Sequence, residues 1–115
     1  MSQISGTLSE GKDGLDALQA VFPGGSITGC PKTVVCAAID EIEAEPRSFW
    51  TGSAGWIDVH SGDCTWNILI RTLEAHYEND SWNGIVMAGG GITIESEPKA
   101  EVSEAIWKAA AVRRG

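Results

Sequence analysis

Positive charge is scarce in this chain: eight Lys and Arg stand against 16 Asp and Glu, for a formal net charge of -8. Nucleic acid and acidic membranes both require basic patches, so neither is expected as the main partner. Long apolar runs are also missing, as is the pattern of a secretory signal, so no bilayer-spanning segment is expected and the default location is the cytoplasm. Histidine is rare, and His60 and His76 stand apart, with no acid or cysteine placed to make a catalytic pair. Both read as surface residues. The three cysteines, Cys30, Cys36 and Cys64, are odd in number and fit neither a zinc knuckle nor a disulfide framework. They read as reduced, mostly buried thiols, with Cys30 half-exposed in a glycine-rich loop. Linkers, internal repeats and low-complexity tracts are likewise lacking.

What is present suits one domain. A length of 115 residues allows a modest core, and a hydrophobic content of 43% argues against a disordered tail. Residues 1–8 alternate roughly between polar and apolar and suggest a strand. Asp13 to Val21 carries Leu15, Leu18 and Val21 on one helical face. Pro31 suits the first turn of a second helix whose apolar stripe is Val34, Val35, Ala38, Ile39 and Ile42, running to about Glu45 and stopped by Pro46. Three strands are then predicted: Ser48 to Val59, Thr65 to Glu74, and Trp82 to Ala88, with Ile92 to Ile94 as an extension of the last. Turns fall at Gly62-Asp63 and Glu78–Asp80. A final helix from Pro98 to Val112, capped by Ser96, ends in basic residues that suit its dipole. The expected fold class is α+β: an antiparallel meander with flanking helices.

Three stretches carry possible chemistry. In "FPGGSITGCPK", Gly24, Gly25 and Gly29 would let backbone approach a ligand, Ser26 and Thr28 add hydroxyls, and the following helix would aim its first N–H groups at an anion. The spacing is not that of a Walker A loop, and a plain turn leading into a helix explains the same residues. Gly89-Gly90-Gly91 could present N–H groups to a carboxylate, or could mark a bulge or bend. Glu101, Glu104 and Lys108 share one helix face. Two carboxylates one turn apart can hold Mg²⁺, and equally can form a solvated ion-paired face. Arg71, flanked by apolar residues, is either an edge residue or a fork aimed at a carboxylate.

Taken together and in order, "FPGGSITGCPK", "AAIDEIEAEPR", "GSAGWID", "NILIRTL", "AGGGI" and "SEPKAEVSEAIWKA" resemble the C-terminal part of the chorismate-utilising enzymes. That family includes the large subunits of anthranilate and aminodeoxychorismate synthases. The resemblance covers essentially the whole chain. It implies that Thr28 and its loop, Trp50 (where a tyrosine is usual), Arg71 and the amides of Gly89, Gly90 and Gly91 bind chorismate. It implies that Glu104 and Glu101 hold Mg²⁺, and that Lys108 faces the site as a catalytic group. Cys30, Thr65 and Glu95 depart from the family's usual alanine, aspartate and aspartate. The implied fold is a fragment of the α/β/β/α chorismate-binding architecture, with residues 1–115 as the C-terminal portion of the catalytic domain. The implied partners are chorismate, a glutamine amidotransferase subunit or domain, and an N-terminal part of the same enzyme carrying the remaining acid–base groups. The isolated chain is therefore expected to be inactive. "PGGSITG" leans toward the aminodeoxychorismate branch (p-aminobenzoate and folate), with the anthranilate branch or a non-catalytic binding fragment as alternatives.

Overall fold

Asp13 opens the first regular element. The computed structural model describes residues 3–113, and the first helix, α1, spans Gly14–Val21. The Asp13 carboxylate accepts from the N–H groups of Leu15 and Asp16 at 2.8 and 3.0 Å, and the Asp16 carboxylate accepts from the Asp13 N–H at 3.1 Å. This reciprocal cap satisfies donors that the first turn would otherwise leave open. The strand expected at the N-terminus does not form: residues 3–8 have no regular structure, and positions 1 and 2 lie outside the described residues.

The glycine-rich loop winds into a short helix, α2 (Gly25–Thr28), closed by Gly29 at φ 96°, a conformation that favours glycine. The next helix, α3, spans Lys32–Ile42. Pro31 lies at its N-cap in an extended conformation rather than inside the first turn, and the helix ends at Ile42, three residues before Glu45, with Glu43 extended at its C-cap. α2 packs on α3.

The β region departs from the expected meander. Four strands form two separate hairpins. β1 (Ser53–Ile57) pairs antiparallel with β2 (Cys64–Ile68), in a register that sets Gly55 opposite Trp66. β3 (Leu73–Glu78) pairs with β4 (Ser81–Val86), with Tyr77 opposite Trp82 and their rings 5.5 Å apart. The long second strand expected from Thr65 to Glu74 is thus cut in two. The cut lies at Arg71, whose φ of 51° is left-handed and incompatible with a continuing strand. Residues 48–51 form turns, and residues 92–94 do not extend β4. The β3–β4 link is Asn79-Asp80, with φ of 52° and 59°, the two-residue turn whose twist matches that of the strands.

The last helix, α4, spans Pro98–Arg113 and lies against β4. Its cap is supplied by Glu97, whose side chain and carbonyl both accept from the Ala100 N–H. Ser96 instead accepts from the Thr93 N–H at 3.1 Å and closes the preceding turn.

The modest core expected from composition is not assembled. Among the described residues only Gly14 is buried, and no large apolar side chain is. The cysteines follow suit: Cys30 is exposed, and Cys36 and Cys64 are half-buried rather than buried. The accessible surface is 9580 Å², where size scaling gives about 6100 Å² for a compact protein of this mass. The radius of gyration is 17.1 Å, against about 13 Å for a compact chain of this length. Two-stranded sheets and single helices each bury one apolar face only when another layer lies over it. The layers here leave those faces open, with Trp82 72% exposed and Ile106 66% exposed.

Candidate functional site

The left-handed turn at Arg71 breaks a strand and also brings this side chain to the wall of a cleft. The cleft has a volume of about 240 Å³, and Trp50, Arg71, Lys108 and the Gly89–Gly91 run line it together with Ser26 and Arg47. Five separate parts of the chain converge there: α2, the turn after α3, the β2–β3 link, the segment after β4, and α4.

Space explains two of the three successive glycines. None of them has a left-handed φ, so conformational freedom is not the reason. A Cβ on Gly89 would stand 2.9 Å from Trp50 Cη2, and one on Gly90 would stand 2.9 Å from Glu101 Oε2. Gly91 has open space around its Cα. The run therefore lets an indole ring and a carboxylate approach the backbone closely, and it leaves a side-chain-free wall on the cleft.

Lys108 is fixed at two points. Its ammonium donates to the Gly89 carbonyl at 3.1 Å and pairs with Glu104 Oε1 at 2.6 Å. Arg47 is fixed more tightly. Its Nε donates to Glu43 Oε2 at 2.7 Å, its Nη2 donates to the other carboxylate oxygen, and its Nη1 reaches Thr51 Oγ1 at 3.4 Å. This fork holds the Glu43 carboxyl below its ordinary pKa and raises that of Arg47. Of the cations around the cleft, Lys108 and Arg47 are thus already paired. Arg71 has no ion pair or hydrogen bond from its guanidinium among the described residues. In a chain of net charge -8 it is the cleft group with charge left for an anion.

Thr28 is placed differently from expectation. Its hydroxyl turns back on its own backbone, 3.4 Å from the Gly24 carbonyl and 3.3 Å from that of Gly29. It lines an adjoining, wider recess of about 920 Å³ that shares Trp50 and Gly89–Gly91 with the cleft. The first turn of α3 does not line the cleft, so the anticipated helix-end anion site is not formed there. Glu101 abuts Gly90 at the rim, and Glu104, one turn on, is 52% exposed and carries Lys108. No cluster of three or more His, Cys, Asp or Glu side chains able to hold a metal is assembled among the described residues. Two carboxylates on successive turns beside an open cleft do suit a hydrated Mg²⁺, which commonly keeps several waters and takes one or two carboxylates plus substrate oxygens.

Arg47 is absent from the candidates read from the sequence. The signal was present in the spacing of Glu43 and Arg47, four apart, but it resembled an ordinary surface pair. His60 and His76 are exposed, as expected, and lie away from the cleft.

Comparison with known proteins gives a consistent picture. The family model described as "chorismate binding enzyme" matches residues 1–114. Aminodeoxychorismate synthase component 1 of Bacillus subtilis (strain 168) is 40% identical over 114 residues, covering 99% of this chain and 23% of that protein. A Haloarcula marismortui anthranilate synthase component 1 is 39% identical over 103 residues, covering 90% of this chain and 19% of the relative. Anthranilate synthase component 1 of Aquifex aeolicus is 38% identical over 114 residues, covering 99% of this chain and 22% of the relative. The chain thus spans 19–23% of the length of these relatives.

Proposed function

Because the chain belongs to the chorismate binding enzyme family, we propose that it is the C-terminal, anion-holding portion of a Mg²⁺-dependent enzyme that aminates chorismate. The observation that carries this reading is the convergence of Arg71, Gly89–Gly91, Trp50 and Lys108 on one cleft from four parts of the chain. Chorismate is a dianion. In an acidic protein its carboxylates need local positive potential from a guanidinium, backbone N–H groups and a metal.

In this reading Arg71 receives one carboxylate through its free fork, and the exposed backbone at Gly90 and Gly91 lets a second anionic group approach without a side chain in the way. Trp50 supplies an apolar wall for the ring. Lys108, tied to Gly89 and Glu104, places an ammonium beside the substrate. Glu101 and Glu104 are the residues that would hold Mg²⁺, whose charge would neutralise the ring carboxylate when it is bound. Thr28 contributes from the adjoining recess. Acid–base groups for the ring chemistry come from another part of the enzyme, and ammonia from a glutamine amidotransferase. The isolated chain therefore binds but does not turn over. Among the possible products, 4-amino-4-deoxychorismate is favoured by "PGGSITG". The anthranilate alternative is kept by the anthranilate synthases among the relatives.

Equilibrium dialysis of the chain against chorismate tests the reading. Chorismate is expected to bind, Mg²⁺ to tighten it, and Arg71→Ala to weaken it by about tenfold or more, the scale of a lost charge-assisted hydrogen-bond pair. Glu104→Gln is expected to remove the response to Mg²⁺. Chorismate binding that is unaffected by Arg71→Ala would overturn the assignment of this cleft.

A further inference from the structure

Arg47 stands in the cleft wall, yet its charge is already engaged by protein partners. Both sides of its guanidinium fork are taken by Glu43, and the third nitrogen faces Thr51. Its side chain is only 20% exposed, so little of it remains for a ligand. What it does touch is Trp50. The guanidinium carbon lies 4.9 Å from the centroid of the Trp50 ring, within the range of a cation–π contact. The Trp50 backbone N–H also donates to the Arg47 carbonyl at 2.9 Å, closing the turn between them. Trp50 in turn presses against Gly89, and the Gly89 carbonyl accepts from Lys108.

These contacts form one connected path: Glu43 fixes Arg47, Arg47 fixes the Trp50 ring, the ring rests on Gly89, and Gly89 anchors Lys108. We infer that Arg47 is a positioning residue, which acts on the proposed chorismate cleft through Trp50 rather than by touching the substrate. The inference takes the cleft as the ligand site, so it rests on the function proposed above, while the packing it describes exists without ligand. A guanidinium is suited to this task because it can hold a carboxylate in its plane and stack its face on an indole at the same time. A lysine can do only one of these well.

The test combines Arg47→Met, Arg47→Lys and Glu43→Gln with a Trp50→Phe background in the full 115-residue chain. Acrylamide quenching of tryptophan fluorescence reads the packing without ligand. Arg47→Met is expected to raise quenching in the parent, and this rise is expected to vanish in Trp50→Phe, which assigns it to the one indole. Glu43→Gln, which leaves the arginine but weakens the fork, should give a smaller rise, and Arg47→Lys an intermediate one. These two milder variants keep the test alive if Arg47→Met fails to fold. In chorismate dialysis, Arg47→Met should weaken binding about two- to fivefold, the scale of a cation–π contact, and should have no further effect once Trp50 is Phe. Unchanged quenching in all three variants would overturn the inference. So would equal weakening of chorismate binding with and without Trp50, because Arg47 would then be a direct ligand. If the parent chain binds no chorismate, the substrate reading fails, while the quenching comparison still decides whether Arg47 holds Trp50.

Discussion

Arg71 shows how one residue can carry two opposed demands. Its left-handed backbone is unfavourable for any side chain with a Cβ, yet that backbone turns the chain between β2 and β3 and brings the guanidinium to the cleft. Arg71→Gly should therefore stabilise the chain by about 0.5–1 kcal/mol through relief of this conformation, while chorismate binding weakens by about tenfold or more. Arg71→Ala should weaken binding to the same degree without the gain in stability. Urea titrations of both variants check this, and equal midpoints would show that the left-handed conformation carries no strain. The Glu43–Arg47 fork has a pH signature. The pKa of Glu43 is depressed in the folded state, so its contribution is complete above the ordinary glutamate value of 4.5 and fades as pH falls through the lower folded value. The stability difference between the parent and Glu43→Gln should be largest at neutral pH and shrink on acidification below that range. A pH-independent difference would remove the ion pair as its cause. The side chains of this site were partly legible in the sequence. Arg71, Lys108 and the glycines stand out by type and context. Arg47 does not, because its role depends on an indole three residues away and on a glycine more than forty residues further along the chain.

At the scale of elements, helices were read more accurately than strands. Capping chemistry is local, so Asp13 marks the start of α1 and Pro31 the approach to α3 from sequence alone. The division of the β region was hidden because nothing in the alternation from Thr65 to Glu74 announces a left-handed residue at position 71. Gly89 and Gly90 were legible as unusual, but their reason, the close approach of Trp50 and Glu101, is a tertiary fact. The helix start also yields a test. Alanine normally improves a helix over glycine by about 1 kcal/mol. At Gly14, however, an added Cβ would collide with the Cys64 sulfur and stand 3.2 Å from Cys64 Cβ. Gly14→Ala should instead destabilise by about 1–3 kcal/mol, as overpacking does, and should become neutral or favourable in a Cys64→Ala background. Thermal unfolding of the four chains in this cycle measures the coupling. A stabilised single variant would show that Gly14 does not lie against Cys64.

For the molecule as a whole, the decisive feature is its open apolar surface. Composition implied a modest core that the described residues do not assemble, because composition counts side chains and does not say whether a second layer lies over them. Small-angle scattering extrapolated to infinite dilution should give a Cα-scale radius near 17.1 Å rather than the roughly 13 Å of a compact chain. The dye 1-anilinonaphthalene-8-sulfonate should fluoresce strongly on the exposed faces. A compact radius without dye binding would mean that the hairpins and helices close on one another. The two-hairpin arrangement has a consequence for time as well as shape. Each hairpin joins strands that are neighbours in sequence, one across residues 58–63 and the other across the two-residue turn Asn79-Asp80. Little loop-closure entropy opposes such pairing, so each hairpin can form within about 1–10 μs, long before the distant segments that build the cleft meet. Closure of the candidate cleft, which joins segments far apart in the sequence, is therefore expected to be the slower step.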